Sequence, residues 1–121
     1  TDACVPISRL ADALLASVHE ADASGLPYFI VGHVGDGNFH FGYLIDPALP
    51  AERERAEQLN HQLVARALQL GGTCTGEHGV GVHKMGFLRD EAGAGAVAMM
   101  RAIKQALDPQ NIMNPGKIFR L

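Results

Sequence analysis

Hydrophobic and polar positions follow a helical period in three segments of the chain. After Pro6, which can open a helix, apolar residues recur with that spacing as far as Gly25: Ile7, Leu10, Leu14, Val18 and Ala21. Segment 50–70 repeats the pattern and ends at a glycine pair, with an apolar face made of Ala56, Leu59, Leu63, Ala67 and Leu70. A third helix is predicted to stop before Asp108-Pro109, from the spacing of Ala96, Met99, Met100, Ile103 and Leu107.

Two further segments, "YFIVGHV" and "NFHFGYLI", are rich in aromatic and β-branched residues and predict strands. The residues between them, Gly35-Asp36-Gly37, favour a tight hairpin turn. An extended start ending at Cys4-Val5 and a short strand inside "GGTCTGEHGVGVHKMG" complete the order β-α-β-β-α-β, followed by a helical appendage. This order predicts an α+β fold close to a ferredoxin-like sandwich, with helices on one face of an antiparallel sheet.

The composition indicates a single domain spanning residues 1–121, because 47% of the residues are hydrophobic and 19% are charged. The net charge of −3 and the scattered Lys and Arg residues disfavour nucleic acid as a partner. No apolar run approaches the roughly 20 residues of a bilayer span. Two cysteines make no disulfide framework, so we expect a cytoplasmic protein, with peripheral membrane association left open. The first residue, Thr1, indicates a processed product or a piece of a longer protein.

Two histidines flank the predicted turn in "GHVGDGNFH". A hairpin centred on Asp36-Gly37 would make His33 and His40 direct cross-strand partners, with Cβ atoms about 4.5–5.5 Å apart, from which two imidazoles can bind one metal ion. The next pair on that face would be Val31 and Gly42, where the glycine would leave room for a ligand. A loop of odd length would remove this register. Paired strand histidines are also found as solvated or hydrogen-bonded structural residues.

The motif "GEHG" adds a carboxylate and a third imidazole at the end of the predicted fourth strand. Two histidines and one carboxylate leave a divalent metal with open coordination positions, so Glu77 is the candidate third ligand beside His33 and His40. His78 is then the candidate proton acceptor, because imidazole titrates near neutral pH. A loop salt bridge that involves Glu77 and His78 is the structural alternative.

The remaining candidate ligands have simpler interpretations. Cys74 is expected to be a small buried residue rather than a ligand. His19 and His61 lie on helices and are interpreted as structural, and His83 as a solvent-exposed loop residue. Met99 and Met100 are expected in the core from their helical spacing.

Three motifs in the order "GHVGDGNFH", "GGTCTGEHGVG" and "ALDPQNIMNPGKIF" resemble the carboxy-terminal domain of FAD-linked oxidases of the vanillyl-alcohol oxidase type. The likeness is closest to the D-lactate, D-2-hydroxyglutarate and glycolate dehydrogenase group and covers essentially the whole chain. It implies that His33, His40 and Glu77 bind a divalent metal, commonly zinc, and that His78 is the base. It also implies that Asn114 and Lys117 lie near the flavin of FAD.

The resemblance implies that the parent enzyme oxidises a D-2-hydroxy acid to the 2-oxo acid, and that its FAD-binding domain is missing from this chain. The isolated chain is then expected to be inactive. Position 42, an asparagine in some members of the group, is Gly42 here, which leaves the substrate open. A homodimer is also left open. The rival hypotheses are a non-catalytic module that binds a metal or a protein, and a metal-dependent hydrolase that uses the same His, His and Glu set.

Overall fold

The computed structural model describes all 121 residues, and a three-stranded antiparallel sheet dominates the first part of the chain. Its strands are β1 (Asp2–Cys4), β2 (Tyr28–His33) and β3 (Asn38–Tyr43). The strand order is β1-β3-β2, so the central strand pairs with both neighbours. Two helices, α1 (Leu10–Ser24) and α2 (Pro50–Gln69), accompany this sheet in a unit that comprises Thr1–Glu77. The α+β class predicted from the sequence is confirmed.

The predicted fourth strand is reduced to one antiparallel bridge. Thr73 donates its backbone N–H to the carbonyl of Cys4 at 2.8 Å and accepts from the Cys4 N–H at 3.3 Å. This bridge places the returning chain beside β1, on the side away from β3, as the fourth strand of a ferredoxin-like sandwich would lie. The pairing does not extend further, because the chain turns after Thr73 into the glycine-rich loop.

The hairpin between β2 and β3 forms as predicted, but in a different register. His33 pairs with Asn38, and His40 pairs with Val31, so the predicted direct pairing of the two histidines is wrong. The turn is four residues long, because a 3-10 turn at Val34–Asp36 precedes Gly37, which adopts a left-handed conformation with φ of 75°. The observed register differs from the predicted one by two residues, and an even shift keeps every side chain on its predicted face.

The core of this unit lies between one sheet face and the two helices. Phe39 and Phe41 on β3 are 1% exposed and supply the aromatic part of that core. The buried stripe of α1 shares only Ala21 with the predicted one and consists of small residues: Ala13, Ser17 and Ala21. Small side chains allow α1 and α2 to approach closely, and the guanidinium of Arg66 on α2 donates to the Ser17 hydroxyl at 3.1 Å. The predicted apolar face of α2 is buried at Leu59, Leu63 and Ala67.

Tyr43, at the end of β3, gives this unit an alkaline pH dependence. Desolvation and the nearby Glu20 carboxylate raise the pKa of Tyr43 to about 12, against a partial lowering by Arg66. The folded state therefore keeps the Tyr43 proton at pH values where the unfolded chain has lost it. The contribution of Tyr43 to the free energy of unfolding is fully present below pH 10 and falls between pH 10 and 12. Because the chain has two tyrosines, the variant Tyr28→Phe isolates Tyr43. We expect its phenolate absorbance to rise with a midpoint near 12, whereas a midpoint near 10 would contradict this.

The second unit comprises His78–Leu121 and contains the long helix α3 (Met85–Leu107). The helix begins earlier than predicted and is interrupted at Gly93, which has φ of 80° and ψ of 160°. Met99 is 68% exposed, so its predicted place in the core is wrong. The burial on this helix falls instead on Phe87 and Val97. None of the helices combines the length and apolar character that crossing a lipid bilayer requires.

Candidate functional site

Three side chains of the first unit converge at the end of the β2-β3 hairpin. The Nε2 atoms of His33 and His40 lie 3.4 and 2.9 Å from the same carboxylate oxygen, Oε1 of Glu77. The two imidazole rings are 6.0 Å apart at an angle of 88°, and one ligand atom from each of the three groups lies within 4.8 Å of the others. His40 is largely buried, with 15% of its side chain exposed, whereas His33 and Glu77 are 60% and 48% exposed. We call these three residues the HHE cluster.

The two histidines share a face of the sheet although they are not direct partners. In the observed register they lie diagonally across β2 and β3, a relation that long side chains can still bridge. The predicted space beside them is not open. Gly42 pairs with Phe29 rather than Val31, and a Cβ added at Gly42 would lie 2.2 Å from the Phe29 ring. The glycine therefore accommodates an aromatic side chain.

The loop that carries Glu77 is held by residues that sequence reasoning missed. Oδ2 of Asp2, a residue 1% exposed, accepts the backbone N–H groups of Gly76 and Glu77 at 2.7 and 2.8 Å. The buried side chain of Asn38 lies against Gly76, where an added Cβ would be 1.9 Å from Asn38 Oδ1. Nothing in the sequence pairs these residues, because Asp2 is 74 positions from Gly76. An acidic residue in an otherwise apolar strand was the one available signal.

His78 begins the second unit and is exposed, and its predicted role as a base stays a prediction. Cys74 is 1% exposed, which confirms that it is a packed residue. His19, His61 and His83 are all exposed, as expected of residues on the polar faces of helices and in a loop.

The two predicted flavin-facing residues meet at a cavity in the second unit. Asn114 and Lys117 both line a cavity of about 250 Å³ formed by the carboxyl-terminal segment. Asp108 anchors this segment, since its carboxylate accepts the backbone N–H groups of Ile112 and Met113 at 3.0 and 2.9 Å. The hydrogen bond from Lys104 lowers the pKa of the Asp108 carboxyl. The acid therefore stays ionised and keeps both N–H groups bound at neutral pH.

A family model described as FAD linked oxidases, C-terminal domain, matches residues 1–118 of the chain. Among curated proteins, the mitochondrial D-lactate dehydrogenase [cytochrome] of Arabidopsis thaliana is 51% identical over 98% of the chain. A probable mitochondrial D-lactate dehydrogenase of Danio rerio is 45% identical over the whole chain. The glycolate oxidase subunit GlcD of Bacillus subtilis is 41% identical over 98% of it. The chain spans between 21% and 25% of the length of these three relatives.

Proposed function

The chain belongs to the C-terminal domain family of FAD-linked oxidases, and on that premise we propose that it supplies metal and substrate binding to a flavin-dependent D-2-hydroxy acid dehydrogenase. The named relatives support a D-lactate- or glycolate-type substrate for the whole protein. The convergence of His33, His40 and Glu77 is the single observation that carries the proposal. Family membership also favours a redox enzyme over a metal-dependent hydrolase that uses the same three residues.

The HHE cluster fits a divalent metal ion by the chemistry of its donors. Two imidazole nitrogens and one carboxylate oxygen are a ligand set suited to zinc, and three protein ligands leave positions for substrate. The exposure pattern agrees with this, because His40 is largely buried while His33 and Glu77 face solvent. A substrate would therefore approach from the side of these two exposed ligands. The zinc identity is part of the proposal.

A divalent metal held by His33, His40 and Glu77 would supply Lewis acidity that makes the substrate hydroxyl more acidic, and a bound flavin would supply the hydride acceptor. The residues of the chain do the rest. By holding that metal, His33, His40 and Glu77 would orient the hydroxyl and one carboxylate oxygen of the substrate, and so its Cα–H bond. His78 takes the hydroxyl proton on an imidazole nitrogen, so the substrate loses one proton and one hydride and leaves as the 2-oxo acid.

The carboxyl-terminal cavity fits a part of the flavin rather than a whole FAD. Its volume of about 250 Å³ lies below the roughly 300–1,000 Å³ of complete small-molecule sites. Asn114 offers an amide and Lys117 a cation to a flavin edge, as the family resemblance implies. The remainder of FAD would be bound by the FAD-binding domain that we propose as the partner of this chain.

The experiment that tests the proposal uses the native gene product. We expect it to contain a divalent metal and flavin and to reduce an artificial electron-accepting dye with D-lactate, with L-lactate as the matched control. A chelator should abolish turnover, and added Zn²⁺ should restore it. Turnover that resists complete metal removal would contradict the metal role. Hydrolysis of an ester or phosphate substrate without flavin would contradict the redox function.

Two further predictions concern the location and the assembly of the protein. The composition predicts a cytoplasmic location, whereas the names of two curated relatives place those proteins in mitochondria. Fractionation of cells that express the native gene product would distinguish the two compartments. A homodimer is likewise open to measurement by light scattering.

A further inference from the structure

The carboxylate of Asp2 is one of the most deeply buried charged groups in the first unit. An acidic side chain that is 1% exposed loses its hydration, so it must be stabilised by strong hydrogen bonds or nearby charged groups of the protein. One oxygen, Oδ2, receives two of them, from the backbone N–H groups of Gly76 and Glu77. Bonds from N–H donors to a carboxylate are roughly twice as strong as bonds between neutral groups. The backbone at residues 76–77 is therefore fixed to β1.

Asp2 lies beside the HHE cluster, because a carboxylate oxygen of Asp2 lies within 4.8 Å of an imidazole nitrogen of His40. In the pairing of β1 with β3, Asp2 is the direct partner of His40. The bridge between Cys4 and Thr73 brings the returning chain to β1. Beyond this bridge, the side chain of Asp2, rather than the backbone of β1, accepts a hydrogen bond from the returning chain, at Gly76. Asp2 is therefore paired with one member of the HHE cluster, His40, and holds the backbone of another member, Glu77.

The wall formed by Asn38 limits the same loop from a second direction. Asn38, the first residue of the central strand β3, pairs with Cys4 on one side and with His33 on the other, so its backbone is held on both sides. The approach of its carboxamide to Gly76 leaves no space for a side chain there. The loop before Glu77 is therefore confined between a hydrogen-bond acceptor and a steric wall.

We propose that Asp2 is a positioning residue for the candidate metal site, acting through the backbone of Glu77. This inference rests on the proposed function. Glu77 lies in a loop outside any helix or strand, and its side chain is 48% exposed. Binding a metal with Glu77 requires that its carboxylate be held where the imidazoles of His33 and His40 converge. With Asp2 in place, that ordering is complete before the ion arrives, which raises affinity.

The test measures Zn²⁺ affinity of the 121-residue chain by competition with a chromophoric chelator. We expect Asp2→Ala to weaken binding by about 10- to 100-fold, the range seen for residues that orient metal ligands. Asp2→Asn keeps an oxygen of the same shape but loses its charge, so its loss should be smaller yet measurable. The matched control is Asp108→Ala, which removes a buried acid that also accepts two successive backbone N–H groups, and it should retain wild-type affinity.

A double-mutant cycle separates positioning from a general structural role. If Asp2 acts through Glu77, Asp2→Ala should cause no further loss of Zn²⁺ affinity in a Glu77→Ala background. Equal losses in the two backgrounds would overturn the proposal, as would wild-type affinity in a folded Asp2→Ala chain. If Asp2→Ala does not fold, unchanged affinity of Asp2→Asn overturns it. If the wild-type chain binds no Zn²⁺, the proposed metal site is itself wrong. If the wild type binds Zn²⁺ tightly and the Asp2 variants bind it equally well, only the inference about Asp2 is wrong.

Discussion

His40→Ala is expected to lower the Zn²⁺ affinity of the chain by more than about 100-fold, beyond the range of residues that only orient ligands. His40 is the most buried member of the HHE cluster, and its Nε2 makes the closest contact, 2.9 Å, with Glu77. Removing it leaves one exposed imidazole and one exposed carboxylate as ligands, and water competes readily with two exposed ligands for the metal ion. Chelator competition measures the affinity, and dye reduction with D-lactate in the native gene product measures the loss of activity.

The matched control is His19→Ala, which removes an exposed histidine from α1 without touching the hairpin. Its Zn²⁺ affinity and melting temperature should both equal those of the wild type. If His40→Ala binds Zn²⁺ as tightly as His19→Ala does, the HHE cluster is not a metal site. The contact between His40 and Glu77 would then be a structural ion pair only.

Gly37→Ala is expected to destabilise the fold by about 2–5 kcal/mol. Gly37 has φ of 75°, a left-handed conformation that an alanine adopts only at a cost. A Cβ there would also lie 2.0 Å from the backbone oxygen of Val5, so the end of β1 would have to move. Urea denaturation followed by circular dichroism gives the change in free energy of unfolding.

The neighbouring Gly35→Ala provides a control within the same turn. A Cβ at Gly35 meets no atom within 4 Å, and its φ lies outside the left-handed region. We expect its stability to stay within about 0.5 kcal/mol of the wild type, as for other surface changes. Equal unfolding midpoints for the two variants would show that the turn relaxes around Gly37, and that it does not fix the register of the hairpin.

The sequence predicted the hairpin and the clustering of its histidines, but not their pairing. Aromatic and β-branched residues on both sides of a glycine-rich turn predict two strands, and this local signal is strong. The register depends on where the turn begins. The sequence is compatible both with a two-residue turn at Asp36-Gly37 and with the observed four-residue turn, Val34–Gly37. The histidines still lie on the predicted face of the sheet, because the predicted and observed registers differ by an even number of residues.

Helix faces were predicted less well where the chain contains small residues. Besides the predicted Ala21, the buried stripe of α1 contains Ala13 and Ser17, which carry weaker hydrophobic signals than Leu10 or Leu14. In α3 the predicted apolar residues Met99, Ile103 and Leu107 are exposed, whereas the neighbouring Val97 is buried, so the periodicity after Ala96 did not identify the buried face. The contacts of Asp2 with Gly76 and Glu77 join the two ends of the first unit, and no local pattern predicts them.

The ring of Phe29 occupies the space that a side chain at position 42 would need. A side chain introduced at Gly42 would therefore collide with that ring unless residue 29 changed as well. The two positions can only diversify together. A larger residue at position 42 on this face of β2 and β3 would thus require a smaller residue at position 29.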